Sequence, residues 1–399
     1  MKARGIPAQL RILLVKIAQF ASPGSALNSV EGKVLRVNKD GHIECIFKLS
    51  ISKESFVRAM LLEKLGMIHE GDSPLRLTEV PDPVPADDEL LVHIMACGVC
   101  HTELDEIEGR TPPPVLPAIL GHQAVGRVIG LGKAVRSHLL GERVGVGWIH
   151  SACGNCAYCR SGCENLCPQF QATGRDAPGG YAELLTVKED FAVKMPQYLS
   201  NAQAAPLLCA GAIGYRSVRL SQIADGQDLG LTGFGASAHL VLKMVRHRFP
   251  RVRVFVFARS EADRQFAREL GATWVGDTRE PSPQKLHAII DTTPAWTPIV
   301  AALFNLAPGG RLIVNAIRKE EADKGALLQL DYPRDLWLEK EIKSVANVTR
   351  QDIQEFLALA AQMQLQPHVH EYSFAAANQA VTDLKFKQLP GAKVLVVAS

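Results

Sequence analysis

Four cysteines in one short stretch are the residues of this chain best suited to chemistry. Cys153, Cys156, Cys159 and Cys167 follow one another at intervals of three, three and eight residues. Four thiolates suit a tetrahedral Zn²⁺ ion, and a site closed by four protein ligands is structural rather than catalytic. Cys163 could replace Cys167 as the fourth ligand, although its position only four residues after Cys159 would make the return path tight. Two disulfides are the alternative, which an intracellular thiol cluster disfavours.

A second set of possible metal ligands is scattered along the chain. Cys97 and Cys100 have the spacing of a redox motif, and His122 could be an ordinary loop histidine. Cys209, taken alone, is most simply a buried apolar cysteine. Each residue therefore has a structural explanation when it is considered singly. Their joint occurrence around a four-thiol segment and before a nucleotide-binding pattern favours a second metal site.

The composition narrows the class of protein that must position these residues. A chain of 399 residues predicts about two domains. Hydrophobic residues make up 47% and charged residues 21%, which is typical of a globular protein with a sizeable core. A net charge of +3 with mixed signs gives no reason to expect nucleic acid, and no apolar run approaches the ~20 residues of a membrane helix. Nine mostly clustered cysteines favour a reducing, cytoplasmic location.

The order of predicted elements divides the chain into three parts. Residues 1–59 form an extension of unknown role, with a possible hairpin at 34–48. From about Met60, short strands and proline-rich loops indicate a β-rich region. After Pro206 the pattern changes to strands at 229–234, 253–258, 288–291 and 311–317, alternating with helices at 238–248, 261–270 and 299–306, and with a break at 308–310. This alternation predicts a parallel sheet. A helix at 350–363, capped by Thr349, and a strand at 392–397 follow.

These motifs resemble those of the zinc-dependent medium-chain alcohol dehydrogenases, and closely those of the cinnamyl-alcohol-dehydrogenase-like branch. The matching segments are 97–103, 121–126, 141–144, 153–167, 179–183, 206–215, 233–238 and 344–350. The resemblance covers residues 60–399 and implies an α/β protein of two domains. We expect a β-rich GroES-like catalytic domain at 60–208 and 346–399, and a Rossmann domain with a doubly wound parallel sheet at 209–345.

The resemblance makes Cys100, His122 and Cys209 the ligands of a catalytic zinc. Three protein ligands leave one coordination position open, as a catalytic site requires, and Zn²⁺ there acts as a Lewis acid. Cys97 matches a position that is not a ligand. Together with the four-thiol segment, two zinc ions per chain are expected.

Four further residues receive roles from the same resemblance. Thr102 matches the hydroxyl that passes on the alcohol proton, although a turn threonine is its simpler explanation. His101 matches a residue that reaches the cofactor pyrophosphate. Glu103 matches an acidic group that holds the ligand histidine and fixes its tautomer. Trp148 matches a wall of the substrate pocket, with core packing as the alternative.

Two positions depart from the pattern of these dehydrogenases. Gln123 stands where a glutamate usually follows the ligand histidine, which removes a negative charge near the zinc. Asp105 stands where many members have the histidine that ends the proton relay. The relay therefore ends on water or on another group.

The predicted nucleotide loop consists of Gly233, Gly235, Ala236 and Ser237, with Ala238 in place of a third glycine. The bare pattern is weak, but a strand precedes it and a helix follows, whose first amides can bind pyrophosphate. At the end of the next strand, the acidic position of NAD-preferring relatives falls on Ala258, followed by Arg259 and Ser260. Since a guanidinium can bind a 2′-phosphate, NADP(H) is expected in preference to NAD(H).

The sequence thus predicts a zinc-dependent enzyme that moves hydride reversibly between a primary alcohol or aldehyde and NAD(P), with NADP favoured. We expect a homo-oligomer with a small-molecule substrate and neither nucleic acid nor membrane as a partner. A quinone or enoyl reductase of the same superfamily would lack both zinc sites. A non-catalytic zinc protein would be favoured by a missing ligand or a broken nucleotide loop, and neither is seen.

Overall fold

The computed structural model describes residues 55–387, 389 and 391–397, and the backbone of 34–37 and 43–47. Two compact units are distinguished, Met1–Glu54 and Ser55–Ser399. In the first, strands β1 (Val34–Val37) and β2 (Ile43–Phe47) pair antiparallel, which confirms the predicted hairpin. The other predictions for residues 1–59 that concern 1–33 and 48–54 lie outside the described residues.

The second unit begins with a β-rich half. Its elements are β3 (Phe56–Leu62), β4 (Leu75–Pro81), β5 (Glu89–Val99), α1 (His101–Ile107), β6 (Ala118–Ile119), β7 (Ala124–Leu131), β8 (Arg143–Val146), β9 (Ile149–Ser151), α2 (Ala157–Arg160), β10 (Gln171–Ala172), β11 (Leu184–Lys188), β12 (Ala192–Lys194) and α3 (Asn201–Ala204). Because β3 starts at Phe56, this strand crosses the expected boundary at Met60.

The remaining elements alternate between helix and strand before the chain returns to the first half. They are α4 (Ala210–Ser221), β13 (Asp228–Thr232), α5 (Ala236–Arg248), β14 (Arg253–Phe257), α6 (Glu261–Glu269), β15 (Trp274–Gly276), β16 (Leu286–Asp291), α7 (Thr297–Asn305), β17 (Leu306–Val314), β18 (Glu341–Ser344), α8 (Arg350–Gln362), β19 (Val369–Ser373), α9 (Ala377–Phe386) and β20 (Ala392–Val396). Thr349 caps α8 as predicted, in a capping box with Asp352.

Two large sheets organise this unit. Strands β12-β8-β7-β5-β20-β19 form one sheet, in which β11 also pairs with β5, and β4-β3-β6 and β10-β9 form two smaller ones. Strands β15-β14-β13-β16-β17-β18 form a six-stranded sheet whose pairs are all parallel. The strand order reverses between β13 and β16, which is the crevice where nucleotides bind in doubly wound sheets.

The parallel sheet is buried on both faces. Leu229, Leu231 and Val254 belong to one apolar cluster, whereas Phe255 and Ile289 belong to another. Alternate side chains of a strand point to opposite faces, so helices must cover each side. This arrangement confirms the α/β fold with a doubly wound sheet.

One predicted break appears in a different form. Pro308, Gly309 and Gly310 lie inside β17 rather than before it. The pairing with β16 is irregular there, since Leu286 pairs with Leu306 and Ala288 next pairs with Arg311. Proline has no backbone N–H to donate, and Gly309 has φ +68°, so the strand continues through an irregularity.

In the described part of the chain, no helix is both long and apolar enough to span a bilayer.

Candidate active site

Three of the predicted ligands converge where the two halves of the second unit meet. The His122 Nε2 atom lies 3.6 Å from Cys100 Sγ and 3.3 Å from Cys209 Sγ. Thiolate and imidazole ligands of one tetrahedral zinc lie ~3.6 Å apart, given metal–ligand bonds of about 2.0–2.3 Å. Two soft sulfurs and one nitrogen are a donor set that zinc favours. The residues therefore fit a three-ligand zinc site.

Local structure aims each ligand at the others. Cys100 follows β5 and caps α1, and its sulfur accepts from the Thr102 N–H at 3.4 Å. Cys209 immediately precedes α4, after a tight 3₁₀ turn through Pro206. Both cysteines thus lie immediately before a helix, where the chain changes direction. Their side chains are therefore not held within the preceding strand or turn.

His122 is held by a carboxylate. Its Nδ1 lies 2.6 Å from Glu103 Oε1, and neither atom has another polar partner in the described part of the chain. Burial by itself lowers the pKa of His122, but the charges of Glu103 and Cys100 and the hydrogen bonds to them together outweigh it, and the pKa is raised. Likewise burial raises the pKa of Glu103, yet the charge of His122 and the hydrogen bonds with His122 and Cys100 together turn the net shift downward. The contact leaves Nε2, the other ring nitrogen, facing the two sulfurs.

The backbone before His122 leaves no room for a side chain. Gly121 has φ +96°, and a Cβ there would lie 2.4 Å from the ring of Tyr181. Trp148 packs edge-on against His122, with ring centroids 4.9 Å apart and an interplanar angle of 87°. Trp148 is buried, so its contact with the ligand histidine is compatible both with a wall of the substrate pocket and with core packing.

The four-thiol segment also folds around one point. The sulfurs of Cys153, Cys156, Cys159 and Cys167 lie within 4.8 Å of one another. Cys153 and Cys159 are 3.8 Å apart, which is the ~3.8 Å edge of a tetrahedral zinc–thiolate site and far longer than a disulfide bond. Cys163 is not in the group, and its sulfur faces the Ser161 carbonyl. All eight cysteines whose side chains are described are free.

Backbone amides prepare these sulfurs to carry charge. The Cys156 N–H donates to Cys153 Sγ at 3.4 Å, and the Gln169 N–H donates to Cys167 Sγ at 3.3 Å. Hydrogen bonds from the backbone at Asn155 and Cys156 lower the pKa of Cys153 to about 6. The segment therefore holds at least one thiolate ready for an ion.

The predicted nucleotide loop joins β13 to α5. Gly233 has φ +77°, and a Cβ there would meet Thr292 Oγ1 at 2.9 Å. Gly235 caps the helix, and Ala236 begins it in an exposed position. Ser237 instead donates to the Ala210 carbonyl at 3.0 Å, which ties the loop to the helix that follows Cys209. The loop lies at the carboxyl edge of the sheet, beside its reversal point.

One arginine follows the end of β14, and a second reaches this point from α6. Ala258 is buried, Arg259 is exposed, and Ser260 caps α6. Arg264, one turn along α6, donates to the carbonyls of Ala258 and Arg259 at 2.7 and 3.1 Å. Arg264 was not predicted as a site residue, although its position four residues after a serine cap places it beside the strand end.

The two departures have different surroundings. Gln123 is buried beside His122. Asp105 accepts from Arg110 Nε at 2.6 Å and from Arg318 Nε, in the segment after β17, at 3.0 Å. The second partner comes from the other half of the unit and was not predicted.

His101 is exposed and Thr102 half-buried at the start of α1.

Comparison with known proteins agrees with this arrangement. Residues 86–197 match the family described as the alcohol dehydrogenase GroES-like domain. A probable alcohol dehydrogenase AdhA of Mycobacterium tuberculosis (strain CDC 1551 / Oshkosh) is 39% identical over 344 residues, which is 85% of this chain and 97% of that protein. An alcohol dehydrogenase of Geobacillus stearothermophilus is 30% identical, covering 83% of this chain and 98% of that protein.

A cinnamyl alcohol dehydrogenase structure from Sorghum bicolor shares the fold, with a TM-score of 0.73, 24% identity and coverage of 86% of this chain and 98% of that one. The likeness in sequence extends over nearly the whole length of the bacterial relatives. The chain therefore belongs to the medium-chain alcohol dehydrogenase family and is an oxidoreductase.

Proposed function

We propose that the protein is a zinc-dependent dehydrogenase that moves hydride reversibly between a primary alcohol or aldehyde and NAD(P), with NADP(H) favoured. The observation that carries the proposal is the convergence of Cys100, His122 and Cys209 on one point. A steady-state screen of aliphatic and aromatic alcohols and aldehydes with both cofactors tests it. Absence of turnover with every alcohol and aldehyde, in protein loaded with zinc, would contradict it.

Each residue near this point has a separate task in the proposed reaction. Zinc held by the three ligands would supply Lewis acidity to the substrate oxygen. Glu103 keeps Nε2 of His122 available, Thr102 takes the alcohol proton, and Trp148 forms one wall of the pocket. Because Asp105 is already held by two arginines, we propose that the relay ends on water. The exposed position of His101 supports a contact with the cofactor pyrophosphate.

We further propose the domain bounds 60–208 with 346–399 and 209–345, with the first domain extended back to Phe56 by strand β3, and two structurally distinct zincs. Metal analysis of loaded protein should find two zincs per chain. Cys209→Ala should keep one zinc and lose activity with the fold intact, since only the three-ligand set is broken. One zinc in fully loaded wild-type protein, or an active Cys209→Ala variant, would contradict the assignment. The free thiols support a reducing, cytoplasmic location.

The preference for NADP(H) rests on the end of β14. A carboxylate there would repel a 2′-phosphate, whereas Ala258 is neutral and Arg259 is exposed. Arg259→Ala should raise the Michaelis constant for NADP far more than for NAD. Arg251→Ala removes another exposed arginine, just before the opposite end of β14, and should change neither constant. Similar efficiency of the wild-type enzyme with both cofactors would contradict the preference.

We propose that the enzyme is a homo-oligomer. Strand β18 forms an edge of the parallel sheet, and all four of its residues are exposed. Ile342 of this strand, and Trp337 and Leu338 just before it, are exposed apolar side chains. Such an edge invites pairing with another chain. Light scattering should give a multiple of the chain mass, and Ile342→Lys should reduce it.

A further inference from the structure

We propose that Glu106 is a positioning residue of the three-ligand zinc site, which supplies the negative charge that Gln123 does not. The proposal rests on the proposed function, since it presupposes a zinc bound by Cys100, His122 and Cys209. Gln123 is buried directly beside the ligand histidine and is neutral. The resemblance predicts a carboxylate at that position. A compensating carboxylate is therefore to be sought elsewhere around His122.

Glu106 is the carboxylate whose surroundings lack an explanation. Its side chain is fully buried. Among the described residues, it is the only acidic side chain of which both carboxylate oxygens are buried without a hydrogen-bond partner. A buried carboxylate without a partner is strongly unfavourable, so a group outside the polypeptide is expected to compensate it. A nearby dication would do so without a hydrogen bond.

The helix directs Glu106 towards the zinc site. Glu103 and Glu106 are three residues apart on α1 and therefore lie on the same face. Glu103 on this face already contacts His122 Nδ1 at 2.6 Å. Burial raises the pKa of Glu106 well above its usual range, as does the charge of Glu103, while His122 and Arg175 act in the opposite direction. Glu106 is thus within electrostatic range of the ligand histidine.

The charged neighbours do not neutralise Glu106 by themselves. Arg175 directs its Nε and NH2 groups to Asp176, at 3.0 and 2.7 Å, rather than to Glu106. Its guanidinium lies 5.7 Å from the Trp148 ring, which in turn packs on His122. Asp105 cannot supply the missing charge, because Arg110 and Arg318 already pair with it. Glu106 is therefore a carboxyl group with which no cation of the described residues pairs, and a dication at the three-ligand site would favour its charged form.

The test is the affinity for the metal rather than the rate. Glu106→Gln keeps the shape of the side chain and removes its charge. In the full-length enzyme, the dissociation constant of the three-ligand zinc, measured by competition with a chelator, should rise about 10–100-fold. The absorption bands of Co(II) substituted at this site should shift. The four-cysteine zinc serves as an internal reference and should keep its wild-type affinity.

A charge-swap variant separates charge from structure. Gln123→Glu in the Glu106→Gln background returns one carboxylate to the site, so the zinc affinity should recover to within a few-fold of the wild type. Glu108→Gln is the matched control, because Glu108 is a buried carboxylate of the same helix end that pairs with Arg110 and Lys385. Its zinc affinity should be unchanged.

Two further outcomes decide the proposal. If Glu106→Gln is too unstable to assay, Glu106→Met removes the unpaired acid and should raise the thermal stability of chelator-treated protein while weakening zinc binding. A solely structural Glu106 would not give these opposite effects. Zinc affinity within twofold of the wild type in Glu106→Gln, or no recovery in the charge-swap variant, would overturn the inference. Failure of the wild-type protein to bind a second zinc would instead overturn the proposed function.

Discussion

Loss of the Asp352 charge is expected to destabilise the protein strongly, because this residue joins two helices. Its carboxylate accepts from Thr349 N–H and Oγ1 at 2.9 and 2.8 Å and from Arg216 NH1 at 2.5 Å. Arg219 forms an ion pair with the second oxygen at 2.9 Å. Asp352 is fully buried and the Arg216 side chain is 8% exposed. The group ties the start of α8 to α4, the helix that follows Cys209.

The magnitude follows from what each substitution leaves behind. Asp352→Asn leaves Arg216 as a buried charge without its partner, which costs about 3–5 kcal/mol. Asp352→Ala also removes the capping box of α8, for a further ~1 kcal/mol. In a protein of this size, 3 kcal/mol corresponds to a fall in Tm of roughly 4 °C. Differential scanning calorimetry of the zinc-loaded variants measures the change.

A matched control identifies burial as the cause. Glu261 also bridges two arginines, Arg264 and Arg268, but its side chain is 64% exposed. Glu261→Gln should lower the Tm far less than Asp352→Asn does, because solvent screens surface ion pairs. If Asp352→Asn destabilises the protein no more than Glu261→Gln does, the reasoning from burial is wrong.

Three further predictions concern pH, the thiol segment and the chain start. Burial lowers the pKa of His239 to about 4, so the unfolded chain takes up a proton near pH 6.5 and the folded one does not. As the pH drops from 6.5 to 4, His239 should lower the free energy of unfolding by ~3 kcal/mol. The His239→Gln variant should lack this loss, so its Tm should fall less than the wild-type Tm over the same pH range. Cys156→Ala should lower the Tm, since the thiol segment depends on its ion; an unchanged Tm with one zinc lost would contradict this. A chain that begins at Ser55 should keep wild-type turnover, whereas one that begins at Met60 loses four residue pairs of β3 and the Arg58–Glu183 contact and should melt earlier.

Much of the fold was predictable because it depends on local preferences. The capping box of Thr349 and Asp352 and the alternation of strands and helices are encoded within a few residues. Glycine and proline at 308–310 were less informative, because they mark either a loop or an irregular strand. Neighbouring strand β16 decides between these two by pairing on both sides of the irregularity.

The sequence alone determined which residues could bind metal, since thiol spacing and residue type limit the chemistry. The tertiary structure decided what surrounds them. The Arg318 contact with Asp105 joins residues 213 apart in sequence. The missing partners of Glu106 are likewise a property of packing. The charge that a side chain can carry depends on its residue type. Its pairing and burial depend on distances that only the folded chain sets.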